Sequence, residues 1–226
     1  MASSKKTSNS AAAHPLFDAA CTRCPRLAGF LREVRKEYPS YHARPVEPFG
    51  PLDAPLLIVG LAPGMHGANA SGRPFTGDYA GILLYDTLHR FGFSNKPVSE
   101  HRQDGLELRG CRITNAVKCL PPENKPTTPE VRTCNAFLQA ELAAAPADAV
   151  ILALGSVAHG AVLRALNLRA ADFAFGHGNV HALDDSRTLV DSYHCSRYNT
   201  QTRRLTEPMF HDVFKTIQAL LKKRAR

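Results

Sequence analysis

The stretch Gly60–Gly81, GLAPGMHGANASGRPFTGDYAG, decides how this chain folds. It follows the short apolar run Leu56–Val59 and leads into Ile82, Leu84, Leu88 and Phe91, which recur at helical spacing. The pattern predicts a strand, a long glycine-rich loop and a helix. Six glycines and two prolines in twenty-two residues give a backbone that can approach a ligand closely with its amides turned toward it. In open α/β sheets, ligands sit at such loops, at the carboxyl ends of strands. The loop is not a nucleotide-binding P-loop, because no Gly-Lys-Ser/Thr follows the glycines, and it does not fit G-x-G-x-x-G.

Downstream, Arg112–Val117 is predicted as a second strand, stopped by Leu120-Pro121-Pro122. Thr128 is expected to cap the next helix with Pro129 at its first position, and Val131, Cys134, Leu138 and Leu142 fall along its inner face. Ala149–Leu154 has the continuous apolar character of a buried parallel strand, and Gly155-Ser156 leads into a helix carrying Val157, Ala161, Val162 and Leu166. Phe173–Leu183 gives no clear element. Arg187–Asp191 is expected to be the last strand and Ser192–Arg204 a polar loop, with Thr206 opening a final helix. Upstream, Cys21-Thr-Arg-Cys24 closes on Pro25, which suits the start of a helix running to about Tyr38. Pro39–Pro55, with five prolines, is an extended connection, and residues 1–13 are expected to be a disordered tail. Strands alternating with helices predict one three-layer α/β/α domain over residues 14–226, with a mostly parallel central sheet.

With 226 residues, 44% of them hydrophobic, the chain can bury a sizeable core. It has no apolar run long enough to cross a bilayer and no signal-peptide core, so a soluble, cytoplasmic protein associated with the nucleoid is expected. A formal net charge of +8 favours a polyanionic partner, nucleic acid first.

Several residues can carry chemistry. Cys21 and Cys24 form a C-x-x-C pair, and Cys119 and Cys134 flank a proline-rich turn and the start of a helix. Thiolates from these two segments can hold a [4Fe–4S] cluster or a structural zinc. Cys111 opens a buried strand and reads as core, while Cys195 sits beside His194 in the polar loop. Asp78 stands just before a helix, where it can cap the helix, act as a carboxylate at a reaction centre, or do both. Phe75 is a core residue or a stacking surface for a planar base, and Asn115 pins a turn or reads a base edge. His194 is structural or donates to a leaving group that gains negative charge. Ser192, Ser196, Arg197, Asn199, Thr200 and Thr202 around it have the makeup of a phosphate-contacting loop.

Together, GLAPGMHGANASGRPFTGD at Gly60–Asp78, ITNAVKCLPP at Ile113–Pro122, LALG at Leu152–Gly155 and SYHCSRYNTQTRRLTEPMF at Ser192–Phe210 resemble the uracil-DNA glycosylase superfamily, most closely its family 5, the type b enzymes. The resemblance implies a four-stranded parallel sheet with flanking helices and a [4Fe–4S] cluster on Cys21, Cys24, Cys119 and Cys134. It implies that the partner is double-stranded DNA with a damaged base, bound by a monomer. Gly60, Leu61, Ala62, Phe75, Asn115 and His194 would then hold the flipped base, with Asn115 on its edge and His194 near its O2. Ser192, Ser196, Arg197, Asn199 and Arg203 would meet the DNA. Other families carry Asp, Glu or Asn just after the first glycine of motif one, where this chain has Leu61 and Ala62. Neither activates water, so the resemblance points to Asp78 as the catalytic carboxylate. It also implies a substrate range reaching beyond uracil to bases such as hypoxanthine and ethenocytosine. Arg203 stands where the family often has Gly, and Tyr79-Ala80 replaces smaller residues, with Arg203 offering a further phosphate contact and Tyr79 narrowing the pocket.

The expected activity is a monofunctional glycosylase, since no lysine in the motifs is placed as a Schiff-base nucleophile. A non-catalytic damage- or abasic-site-binding protein of the same fold is the competing reading. An iron–sulfur electron carrier is disfavoured by the amount of polar loop apparatus.

Overall fold

In the computed structural model, which describes residues 15–184 and 186–224, the apolar run becomes β1, Leu56–Gly60, buried at every position. The tail expected over residues 1–13 lies outside the described residues. Strand alternation sends successive side chains to opposite faces, and here both faces are covered. Leu56 and Ile58 join a core with Leu84, Leu88, Phe210 and Phe214, whereas Leu57 and Val59 join another with Leu138, Leu142, Ala161 and Val162. The continuous apolar run is therefore the mark of a strand sandwiched between two helical layers.

β1 is preceded by α1, Pro25–Glu37, and followed by α2, Ala68–Ser71, and α3, Tyr79–Arg90. Then come β2, Cys111–Asn115; α4, Thr128–Ala144; β3, Val150–Leu154; and α5, Ser156–Ala165. β4, Val180–Ala182, and β5, Thr188–Ser192, precede α6, Arg197–Gln201, and α7, Glu207–Arg224. The sheet order is β2-β1-β3-β5-β4, with the first four strands parallel and β4 antiparallel to β5.

The expected four parallel strands are present, but the sheet has a fifth. β4 comes from the segment that gave no clear element, because its three residues are exposed or half-buried and carry no apolar alternation. Two further details differ. Thr127, not Thr128, caps α4, in a capping box with Glu130 that satisfies backbone donors at both ends of the motif. The glycine-rich loop also contains one helical turn, α2.

The segment leading to β4 is held to β5 by a buried charge pair. His159 Nδ1 lies 2.8 Å from Asp191 Oδ1, and its Nε2 lies 2.9 Å from the Phe173 carbonyl. Both contacts can accept from the ring, an arrangement that favours the protonated imidazole. Burial opposes this charge, but the hydrogen bond and charge of Asp191 outweigh it and raise the His159 pKa. His181 Nε2 donates to the other Asp191 oxygen at 3.2 Å.

Candidate active site

The carboxyl ends of β1, β2, β3 and β5 open into one cleft of about 470 Å³. It is lined by Leu61 and Ala62 after β1, Phe75 and Asp78 from the glycine-rich loop, Asn115 at the end of β2, Gly155 after β3, and His194 after β5. Sequence motifs separated by more than a hundred residues thus meet in one place, because parallel strands put all their following loops at the same edge.

Two glycines of the loop are required by close approach. A Cβ on Gly60 would lie 2.5 Å from Asn115 Oδ1 and 2.7 Å from Phe75 Cζ. One on Gly67 would lie 2.5 Å from Asp78 Cβ. The backbone therefore forms the wall against which three pocket side chains are seated. Phe75 itself has φ +56°, an uncommon conformation for a bulky residue and one that marks stored strain. In this pose its ring stacks on His194, with centroids 5.9 Å apart and planes at 27°.

Asp78 does both things its position allowed. It caps α3, with Oδ1 accepting from the Gly81 amide at 3.0 Å, and it faces the cleft as the one carboxylate among the described residues lining it. Burial raises its pKa, opposed by the Gly81 and Ala80 amides. Asn115 is 3% exposed and its Oδ1 has no hydrogen-bond partner, although a buried polar atom normally has one. Its carbonyl accepts from the buried Lys118 ammonium, which is also paired with Glu141 at 2.6 Å. Lys118 is thus committed to the scaffold and does not line the cleft.

His194 is half-buried by area, yet its Nδ1 is buried and unpartnered. Desolvation lowers its pKa to about 4, so the ring is neutral at neutral pH. Asn199 donates to the His194 carbonyl at 2.8 Å, fixing the residue's backbone.

The loop after β5 sorts the remaining sequence candidates. Ser196 caps α6 and lines the cleft with Asn199. Arg197 and Arg203 are exposed, and the Arg197 guanidinium lies over Tyr79, 5.9 Å from its ring centroid. Ser192 does not share that surface: it is fully buried, with its hydroxyl donating to the Tyr193 carbonyl. Sequence reasoning missed Phe175, Tyr193 and Arg204, which complete the wall; Arg204 lies over Tyr193 at 4.7 Å and is the one Arg or Lys among the described lining residues. Arg204 stands next to Arg203 in sequence, but nothing in the pattern tells which of the two turns inward.

Arg203 has φ +57°, the left-handed conformation that glycine adopts without steric cost. Arg203→Gly is expected to raise thermal stability by about 1 kcal/mol while weakening duplex binding and flattening its salt dependence by roughly one ion. Melting curves and binding isotherms at several salt concentrations check both effects.

Behind the Ala62 wall, Cys21, Cys24, Cys119 and Cys134 line a single small cavity with Leu27, Val117 and Phe137. All four thiols are free. Burial, then the neighbouring thiols, push Cys24 up to about 11 and Cys119 up to about 12. A bound cation reverses this logic by stabilising the thiolates. Four thiols on one cavity are a donor set for a structural zinc or an iron–sulfur group. Cys111 and Cys195 are buried elsewhere, in the core shared by α3 and α7.

A family model described as the uracil DNA glycosylase superfamily matches residues 47–218. The chain belongs to that superfamily. A type-5 uracil-DNA glycosylase of Thermus thermophilus is 47% identical over 199 residues, covering 86% of this chain and 90% of that protein. One of Pyrobaculum aerophilum is 45% identical over 203 residues, covering 88% of each chain. A type-4 uracil-DNA glycosylase of Thermotoga maritima is 37% identical over only 61% of this chain. The superfamily match begins after Cys21 and Cys24. Both the β1 loop with Asp78 and the β5 loop with His194 fall inside it.

Proposed function

We propose that this protein is a monofunctional uracil-DNA glycosylase of the type-5 class. It hydrolyses the N-glycosidic bond of a base flipped from duplex DNA and leaves an abasic site. The observation that carries the reading is the cleft itself: Asp78 is the lining carboxylate, while Leu61 and Ala62, at the positions where the resemblance puts an acid in other families, are apolar. The type-5 relatives, which match over most of the chain, support the same class.

In this reading the flipped base stacks on Phe75, the unpartnered Asn115 amide meets its edge, and neutral His194 donates to the oxygen that gains charge. The bond from C1′ to the base nitrogen breaks with its electron pair leaving on the base. Water oxygen then bonds C1′, and the proton released ends on the base. Asp78 holds that water or stabilises the positive character at C1′; a pKa raised by burial moves it toward the range in which a general base works. A flipped base costs a few kcal/mol of unstacking, least at mispaired or damaged sites. Hypoxanthine and ethenocytosine belong to the proposed range because the pocket wall is largely apolar and backbone. Arg197 and Arg203, exposed beside the mouth, are the proposed phosphate contacts.

Cys21, Cys24, Cys119 and Cys134 would hold a [4Fe–4S] cluster, since four thiols lining one cavity match its four-thiolate ligand set. When bound it supplies iron–thiolate bonds joining α1 to the segment after β2 and to α4. Its place behind Ala62 gives it a structural part, with the chemistry left to the cleft.

The deciding assay uses duplex oligonucleotides carrying one uracil, hypoxanthine or ethenocytosine. Strand cleavage only after heat and alkali is expected, first for uracil opposite guanine. Cleavage without alkali would show a lyase, and tight binding with no release of any base would show a damage-binding protein.

A further inference from the structure

On the far side of Asp78's helix, α3 meets the start of α7. There Asp86 on α3 and Glu207 and His211 on α7 each place one ligand atom within 4.8 Å of the other two. Glu207 and His211 are four residues apart, hence on one helical face. His211 Nε2 lies 3.8 Å from Glu207 Oε1. Among the described residues neither carboxylate is paired with an arginine or lysine, so two like charges stand close together with no fixed cation between them.

The histidine distinguishes this cluster from an ordinary acidic surface. His211 is 7% exposed, and its Nε2 is buried with no hydrogen-bond partner. A buried ring nitrogen normally has one, and this one is aimed at the two carboxylates. The other histidine–carboxylate cluster, His159–His181–Asp191, is closed: the His159 nitrogens and both Asp191 oxygens are engaged in hydrogen bonds. Of these two clusters among the described residues, it is the α3–α7 one that leaves a buried ring nitrogen without a partner.

We propose that Asp86, Glu207 and His211 form a binding site for a divalent transition cation, zinc before others. One imidazole and two carboxylates are hard for magnesium to prefer, since it keeps oxygen and water ligands, but suit zinc. Donors around a tetrahedral zinc stand roughly 3.4 Å apart, so the 3.8 Å His211–Glu207 spacing closes with a small movement of an exposed carboxylate. Solvent supplies the fourth position on the exposed side. The ion fastens the helix that Asp78 caps to the helix that follows the loop 196–206, and so stiffens two walls of the cleft from behind.

The test uses the protein as purified, with whatever its cysteines hold. Zinc uptake is measured by equilibrium dialysis against a buffered micromolar Zn²⁺, with melting curves in parallel. One comparison is the Asp86→Asn/Glu207→Gln double variant, whose changes are on the surface; the other is His211→Gln. Wild type is expected to take up one more zinc per chain than the double variant. At a hundred times the dissociation constant its folding equilibrium should shift roughly a hundredfold toward the native state, with no shift in the double variant. Zinc captured by the thiols would be equal in both chains. Equal uptake and equal melting shifts, or no uptake by wild type, would overturn the proposal and leave His211 as the partner of an ion pair.

Discussion

Asp78→Asn is expected to lower single-turnover excision of uracil by about 10²–10⁴-fold with duplex affinity nearly unchanged. The variant is a clean one. Asn serves as well as Asp at a helix N-cap, so the bond from the Gly81 amide that starts α3 is retained and the pocket wall keeps its shape. What is lost is the negative charge and basic oxygen in a cleft where no other described residue supplies either. The sign of the pH dependence follows. Asp78 must be ionised to act and its pKa is raised, so the wild-type rate rises with pH through a midpoint above the ordinary value of 3.8. His194 becomes charged only near pH 4 and so contributes at the acid edge alone. In Asp78→Asn the limb belonging to the carboxylate disappears. A variant retaining a tenth of the wild-type rate, or showing the same limb, would move the carboxylate out of the mechanism.

The elements that surround this site were legible to different degrees, for physical reasons. β1, β3 and the helices after them announced themselves because strands buried on both faces are continuously apolar and amphipathic helices repeat at 3.6 residues. β4 could not announce itself, since an edge strand of three exposed or half-buried residues is defined by its pairing to β5 and not by its side chains. The Thr127 cap was readable one residue away from where the pattern suggested, through the glutamate three positions on. Within the site, Asn115 and His194 were legible as polar types at strand ends, and Phe75 and Asp78 as an aromatic and a helix-capping carboxylate in the glycine-rich loop. Phe175 and Arg204 were not, because contacts between distant residues, the Phe175 ring against His159 and the Arg204 guanidinium over Tyr193, accompany their place at the cleft, and nothing in the pattern separates Tyr193, directly after β5, from a core ring. Ser192 illustrates the opposite error of range: β5 runs one residue further than its apolar pattern, and the serine at its end is buried.

Cys119→Ser is expected to cost the fold as well as the cofactor. Structural zinc in zinc-finger peptides contributes on the order of 10–16 kcal/mol at pH 7, which shows the scale a structural metal group can reach, and a domain's whole stability is about 5–15 kcal/mol. Removal of one ligand therefore competes with everything else that holds α1 and the segment after β2 in place. α1 meets this region through Leu27, through Leu31 and Val34 packed with Leu120, and through the Arg26–Glu130 pair to α4, but without metal the buried sulfurs oppose one another's ionisation. Purified Cys119→Ser protein should lack the visible absorbance of an iron–sulfur group, melt far below wild type and lose excision as the Ala62 wall loosens. Cys111→Ser is the control, because that thiol is buried even more fully than Cys119 but donates to the Phe93 carbonyl in the opposite core. It should keep the chromophore and lose stability only. A Cys119→Ser protein with undiminished absorbance and melting temperature would show that these four thiols do not hold the cluster, whatever the cleft in front of them does.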